Sequence, residues 1–218
     1  LIMKLSINTD PSYDVIIDYG ILESFDSCLN IFNKEQLFIL CFSPNIKDQA
    51  SSLFIYLKEK NYHIKLLEIN DGETQKDIDN VKYILNKLVD LDANRDTVLL
   101  AFGGGSIGDI IGFVSSIYMR GIRYINIPST LLSMVDSSLG GKTAINYAGI
   151  KNIIGSFYQP IKVCIDPNML ATLSDRDIRS GLGEIIKYGM IDDYNIINKL
   201  SQNYNCIIQE KNKGLILD

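Results

Sequence analysis

An apolar run, Thr97-Val-Leu-Leu-Ala-Phe102, passes without a spacer into Gly103-Gly-Gly-Ser-Ile-Gly108 and then into Ile107, Ile110, Ile111, Val114 and Ile117 at helical spacing. A strand with no polar face is one buried on both sides, as in a parallel sheet covered by helices. Leu37 to Phe42 is a second such run, ended by Pro44. A helix over 46–60, a strand over 62–69 and a helix over 76–90 follow, the last with Ile78, Val81, Leu85 and Leu88 on one stripe. A helix over about 106–119 leads to a strand from Arg123 to Ile127, which Pro128 stops. Ahead of these, Leu5 and Ile7, the turn Asp10-Pro11, and Tyr13, Val15 and Ile17 predict a β-hairpin, followed by helix-like spacing at Ile21, Leu22, Phe25 and Leu29. The expected fold is α/β, a Rossmann-like open parallel sheet with an opening β-hairpin and right-handed crossovers.

Beyond Ile165 no further strand pattern is evident, and Ser174-Asp-Arg-Asp177 has the form of a capping box that opens a helix. The boundary is placed at 172, giving an α/β domain over 1–172 and the start of an all-α C-terminal domain over 173–218. The helical pattern runs into Asp218 without a stop signal, so the chain is expected to be the front of a longer protein.

Charge and cysteine usage narrow the function classes. Acidic residues number 26 against 21 basic ones, a net charge of −5, which disfavours nucleic acid as a partner. Asp109, Arg120 and Arg123 interrupt the most apolar region, so nothing approaches the roughly 20 apolar residues of a membrane span. Leu1-Ile2-Met3-Lys4 is too short for a signal peptide. Cys28, Cys41, Cys164 and Cys206 lie far apart with no C-x-x-C pair, and a cytoplasmic location with free thiols is expected. The single histidine, His63, sits between Tyr62 and Ile64 in a predicted strand, where a structural position is expected.

Gly103-Gly-Gly-Ser-Ile-Gly108 fits G-x-G-x-x-G in the strand-to-helix context of a dinucleotide fingerprint, although such turns also arise from close packing. Gly112, inside the next helix, points to close helix-to-sheet packing, because glycine there costs about 1 kcal/mol against alanine. Ser138-Leu-Gly-Gly-Lys-Thr143 resembles the end of a Walker A loop, but Asp136 stands where a glycine is needed, which argues against an ATPase. Asp136, Lys142, Lys151 and Asn152 suit a pocket for a small polyhydroxylated anion: lysines for phosphate or carboxylate, aspartate for a hydroxyl. On spacing alone, Glu73 with Lys76 reads as an exposed helical pair, as does Glu184 with Lys187. Gly181 and Gly183, just ahead of Glu184, suggest that something approaches that helix closely.

In series, Gly103 to Asp109, Tyr118-Met-Arg-Gly121, Ile127-Pro-Ser-Thr-Leu-Leu132, Val135 to Thr143, Lys151-Asn152 and Gly183-Glu-Ile-Ile-Lys187 resemble 3-dehydroquinate synthase, of the sugar phosphate cyclase group. Glycerol dehydrogenases and iron-dependent alcohol dehydrogenases resemble it only in the glycine-rich portion. The resemblance implies that NAD is held by Asp71, Gly72, Glu73, Thr74, Gln75, Lys76, Gly104, Gly105, Ser106, Ile107, Gly108, Asp109, Ser129, Thr130, Lys142, Lys151, Met169, Leu170, Ala171 and Thr172. It implies that Asp136, Lys142, Asn152 and Lys187 surround the substrate, a phosphorylated seven-carbon keto sugar acid, and that Glu184 is the first ligand of a divalent metal, zinc or cobalt. The other ligands, two histidines in the family, fall beyond the end of this sequence.

The implied activity is a phosphate-eliminating carbon–oxygen lyase of the shikimate pathway: transient oxidation of an alcohol by NAD, phosphate elimination, re-reduction and aldol cyclisation. Another sugar phosphate cyclase, such as 2-deoxy-scyllo-inosose synthase, and a non-catalytic NAD-binding fragment are the alternatives. A homodimer is compatible with either. Three departures stand out: Ser129-Thr130 where the family often has two threonines, Ser43 where some members have aspartate (with Asn45 close by), and Gly149-Ile150-Lys151-Asn152 where the usual loop is Leu-Gly-Lys-Asn.

Overall fold

The computed structural model describes residues 3–209, with the side chains of 206, 208 and 209 set aside; the last part of the expected helical segment, 210–218, lies outside it. The chain builds a sheet of seven strands and a separate two-stranded hairpin. β1 (Met3–Ile7) and β2 (Tyr13–Ile17) form the expected antiparallel hairpin, Leu5 opposite Val15. β3 (Phe38–Phe42), α1 (Lys47–Glu59), β4 (Ile64–Glu68), α2 (Ile78–Asp90), β5 (Val98–Gly103), α3 (Gly105–Ile117) and β6 (Arg123–Pro128) then alternate. β7 (Lys142–Tyr147) and β8 (Ile150–Phe157) form the second hairpin, β9 (Lys162–Ile165) returns to the main sheet, and α4 (Asp175–Ile191) and α5 (Tyr194–Gln209) close the described chain.

The strand order β1-β2-β9-β6-β5-β3-β4 is parallel from β2 to β4. Side chains alternate between two cores. Phe38, Leu40, Phe42, Leu100 and Phe102 join Ala50, Leu53 and Leu57 of α1 on one face. Ile39, Cys41, Leu99 and Ala101 meet Val81, Ile84 and Leu88 of α2 and Ile107, Ile110, Ile111 and Val114 of α3 on the other. That burial on both faces is why these strands are apolar at every position. The chain runs outward from β3 to β4 and resumes at β5 on the opposite side of β3, so the strand order reverses between β3 and β5, where open α/β sheets form their ligand crevice.

Several expected elements are revised. The segment from Ile21 is a 3-10 helix, Ile21–Ser27, broken at Ser24. The helix expected over 76–90 starts at Ile78, because Asp77 caps it by accepting from the Asn80 N–H at 2.8 Å, and Glu73–Gln75 is a separate 3-10 turn. α3 stops at Ile117, and a turn over Tyr118–Arg120 follows with Met119 and Arg120 both at positive φ. Between Pro128 and Ile165, where the sequence pattern assigns no element, the structure holds β7, β8 and β9. Ser174 caps α4 as expected, accepting from the Asp177 N–H at 3.2 Å. Cys28, Cys41 and Cys164 are buried and free, His63 is exposed, and among the described residues no helix is long and apolar enough to cross a membrane.

Candidate active site

β5 delivers the glycine turn at the carboxyl end of the sheet. The first i to i−4 bond of α3 runs from the Gly108 N–H to the Gly104 carbonyl at 3.1 Å, so the N–H groups of Gly105, Ser106 and Ile107 precede it and are not used by the helix. Together with the positive end of the helix dipole, they suit an anion. The glycines themselves answer to packing as well. A Cβ on Gly103 would sit 2.6 Å from Ile107, one on Gly105 2.7 Å from the Ser137 hydroxyl, and one on Gly108 3.0 Å from Asn126. Gly104 has more room, its nearest neighbour being Thr130 at 3.3 Å.

Gly104, Gly105, Ser106 and Thr130 open onto a cleft of about 450 Å³, closed on other sides by Asp71, Glu73, Lys76 and, from α4, Asp177 and Ser180. Asp71 accepts from the Ser106 hydroxyl and from the Gly72 N–H. A free-standing carboxylate would repel a pyrophosphate; one already bonded at the rim can still accept from a ribose hydroxyl. A second cleft of about 510 Å³ lies between the 133–139 turn and the β7–β8 hairpin, lined by Asp136, Lys142, Thr143, Asn152, Ser156 and Phe157 among others. Asp109 and Ser137 line both clefts, so the two are neighbours.

Lys76 joins the walls. Its ammonium donates to Asp109 Oδ2 at 2.6 Å and Asn152 Oδ1 at 2.7 Å, with Glu73 farther off at 3.8 Å. Spacing alone read Lys76 as half of an exposed pair; it is buried at 4%, and its nearest acid comes from α3. Burial raises the Asp109 carboxyl above its ordinary value, and the Lys76 ammonium offsets part of that rise. Asn146 of β7 reinforces the joint, donating from Nδ2 to the Glu73 carbonyl and carboxylate and accepting from the Asn152 N–H. The relocated glycine belongs to this hairpin: Ala148 and Gly149 both have positive φ between the paired residues Tyr147 and Ile150, as a two-residue turn requires. Asn152 itself holds φ +52.

Asp136 lies in a π-helical turn, Ser133–Ser137, and accepts from the Tyr188 hydroxyl of α4 at 2.9 Å. Burial and that carboxylate raise the Tyr188 phenol, which stays protonated and able to donate at neutral pH. Glu184 and Lys187 form an ion pair one turn apart on α4, and the carboxylate raises the Lys187 ammonium. A Cβ on Gly181 would come within 2.4 Å of Leu131, the close approach its type suggests, whereas one on Gly183 would face open space.

Other expected positions lie around the glycine turn or apart from it. The Ile107 side chain is in the core, leaving only its backbone near the cleft, and Gly108 packs on Asn126. Gly72 has φ +112 beside the glycine turn; Thr74 is exposed, and the Gln75 carbonyl accepts from Asn80. Ser129 is buried and bonds the Gly103 carbonyl through its N–H. Lys151 is exposed and lines neither cleft. Leu170 is buried and Ala171 exposed, while Met169 and Thr172 line a different depression with Ser52 and Tyr56 of α1, away from the glycine turn. Ser43 is buried and caps the next turn by accepting from the Asn45 N–H. Reasoning from the residues did not pick out Ser137, Asp177, Ser180 or Tyr188. Ser137 lay inside a quoted motif and Asp177 inside the capping box, but Ser180 and Tyr188 are signalled only by α4 folding back over the turn.

Among the described residues no three of His, Cys, Asp and Glu come together as a metal site, and Glu184 stands as a single donor where about three protein ligands are needed. The glycine-turn cleft, by contrast, fits a dinucleotide: unused N–H groups at its floor and hydroxyl-accepting carboxylates at its rim.

Residues 66–180 match the family model described as 3-dehydroquinate synthase N-terminal. The 3-dehydroquinate synthase of Methylacidiphilum infernorum (isolate V4) is 41% identical over 201 residues, 92% of this chain and 56% of that protein. The structure is similar to 2-epi-5-epi-valiolone synthase from Streptomyces hygroscopicus subsp. jinggangensis 5008, solved with NAD+ and Zn2+ bound, at TM-score 0.88 and 27% identity over 99% of this chain and 60% of that one. It is also similar to a 2-deoxy-scyllo-inosose synthase complexed with carbaglucose-6-phosphate, NAD+ and Co2+, at TM-score 0.75 and 27% identity over 85% and 50%. The chain spans little more than half the length of the curated relatives it matches.

Proposed function

The chain belongs to the 3-dehydroquinate synthase family, and from that premise we propose that it supplies the dinucleotide-binding domain, 1–172, and the start of the helical domain, 173–218, of an enzyme converting 3-deoxy-D-arabino-heptulosonate 7-phosphate to 3-dehydroquinate and phosphate. The observation that supports this reading most is that two clefts adjoin at Asp109 and Ser137, leaving room for a dinucleotide beside a sugar acid. NAD supplies a hydride acceptor that later returns the hydride, so the overall reaction is a phosphate elimination and cyclisation with no net redox change.

The residues divide the work. The α3 N-terminus takes the pyrophosphate, and Asp71 and Glu73 accept from ribose hydroxyls. Asp136, oriented by Tyr188, accepts from a substrate hydroxyl, and Lys142 at the mouth of the larger cleft holds phosphate or carboxylate as a point charge. Asn152, fixed through Lys76, presents an amide beside it. Lys187 keeps the Glu184 carboxylate compensated. Glu184 would be one ligand of a divalent cation that polarises a substrate oxygen, the remaining ligands coming from outside the described residues.

Phosphate release by the full-length protein with NAD and zinc or cobalt tests the reading. Release from the heptulosonate 7-phosphate is the expected result, and turnover of glucose 6-phosphate instead would assign a different cyclase. The 218-residue chain alone is expected to bind NAD without turnover.

A further inference from the structure

Ser137 has no role in the reading above. It lies at the end of the π-helical turn and, with Asp109, lines both clefts. Its hydroxyl is screened from solvent and has no hydrogen-bond partner among the described residues. Ser115 and Ser138 share that lack but line neither cleft. The hydroxyl points at the glycine turn, where a Cβ on Gly105 would come within 2.7 Å of it. A buried hydroxyl without a partner costs stability, and a serine turns readily between staggered rotamers. Because Ser137 lines both clefts, its hydroxyl lies beside the place where they meet.

Resting on the NAD reading of the smaller cleft, we propose that Ser137 is a positioning residue whose hydroxyl hydrogen-bonds the dinucleotide at its reacting end and sets it against the sugar acid next door. The group is kept at the cost of an unmade bond in the ligand-free protein, which the bound cofactor repairs. This gives the site a signature that simple packing lacks: removing the hydroxyl leaves the ligand-free fold as stable or more so, while weakening the bound state.

The test compares full-length wild type with Ser137→Ala, reading the melting temperature without ligand and the Kd for NAD by calorimetry without substrate. The expected result is a melting temperature equal to or above wild type and a Kd raised about three- to tenfold, the range for one hydrogen bond. An unchanged Kd overturns the proposal, and so does a lowered melting temperature, which would mark Ser137 as a packing residue. Wild type that fails to bind NAD at all would instead sink the reading of the cleft itself.

Discussion

At the scale of single residues, the site turns on one buried charge pair. Lys76 is 5% exposed in its side chain and Asp109 17%, at 2.6 Å, and neither charge would be tolerated there alone. Lys76→Met should therefore destabilise the protein by roughly 3 kcal/mol, the lower end for breaking a buried pair, because it leaves the Asp109 carboxylate buried without its cation. Urea unfolding of both proteins measures it, and an unchanged midpoint would mean that solvent reaches Asp109. The pair also has a pH signature. With its carboxyl raised above 3.8, the folded state holds the Asp109 proton more firmly than the unfolded chain does. That contribution to stability is complete below 3.8 and is lost as pH rises through the folded value. A carboxyl-carbon NMR titration should place the Asp109 midpoint above 3.8; a midpoint at or below it would show that the ion pair outweighs burial. Sequence spacing could not reveal this residue's surroundings, since Asp109 and Asn152 reach Lys76 from 33 and 76 positions away.

At the scale of elements, α3 is the scaffold. It packs between the main sheet and the β7–β8 hairpin, and Gly112 is where they come closest: a Cβ there would lie 2.4 Å from Thr143 and 3.1 Å from the Tyr124 hydroxyl. Gly112→Ala should cost about 1–3 kcal/mol by overpacking, despite alanine's better helix propensity, as chemical denaturation would show. A stabilised variant would mean that the hairpin sits farther off. The glycine within the helix announced such contact from sequence; its partner it did not announce. Strands β3 and β5 were legible because both of their faces are apolar. The hairpin was not, because Lys142-Thr-Ala-Ile-Asn-Tyr147 alternates with weak strand formers and buries chiefly Thr143 and Ile145. β9 escaped notice at four residues long. α4 reaches the site by Tyr188, so Tyr188→Phe in the full-length enzyme should raise KM for the sugar phosphate several-fold with little change in Tm, through loss of a bond to a carboxylate. An unchanged KM would separate Tyr188 from the substrate.

At the scale of the molecule, the strand order places the glycine turn, the 133–139 turn and the start of α4 on one rim, and the second hairpin completes it through Lys76, Asn146 and Asn152. Two adjoining clefts, one floored by helix N–H groups and one edged by Asp136 and Lys142, suit the proposed reaction, in which a hydride would leave and return to the same sugar acid. The series of short motifs made the family legible, while the division into two clefts came only from the folded chain. A crystal structure of the full-length protein grown with NAD tests this most directly. The pyrophosphate should lie over Gly104 to Ser106 with the nicotinamide at the Asp109 and Ser137 junction. A dinucleotide seated elsewhere, for instance only in the depression beside Met169 and Thr172, would contradict it.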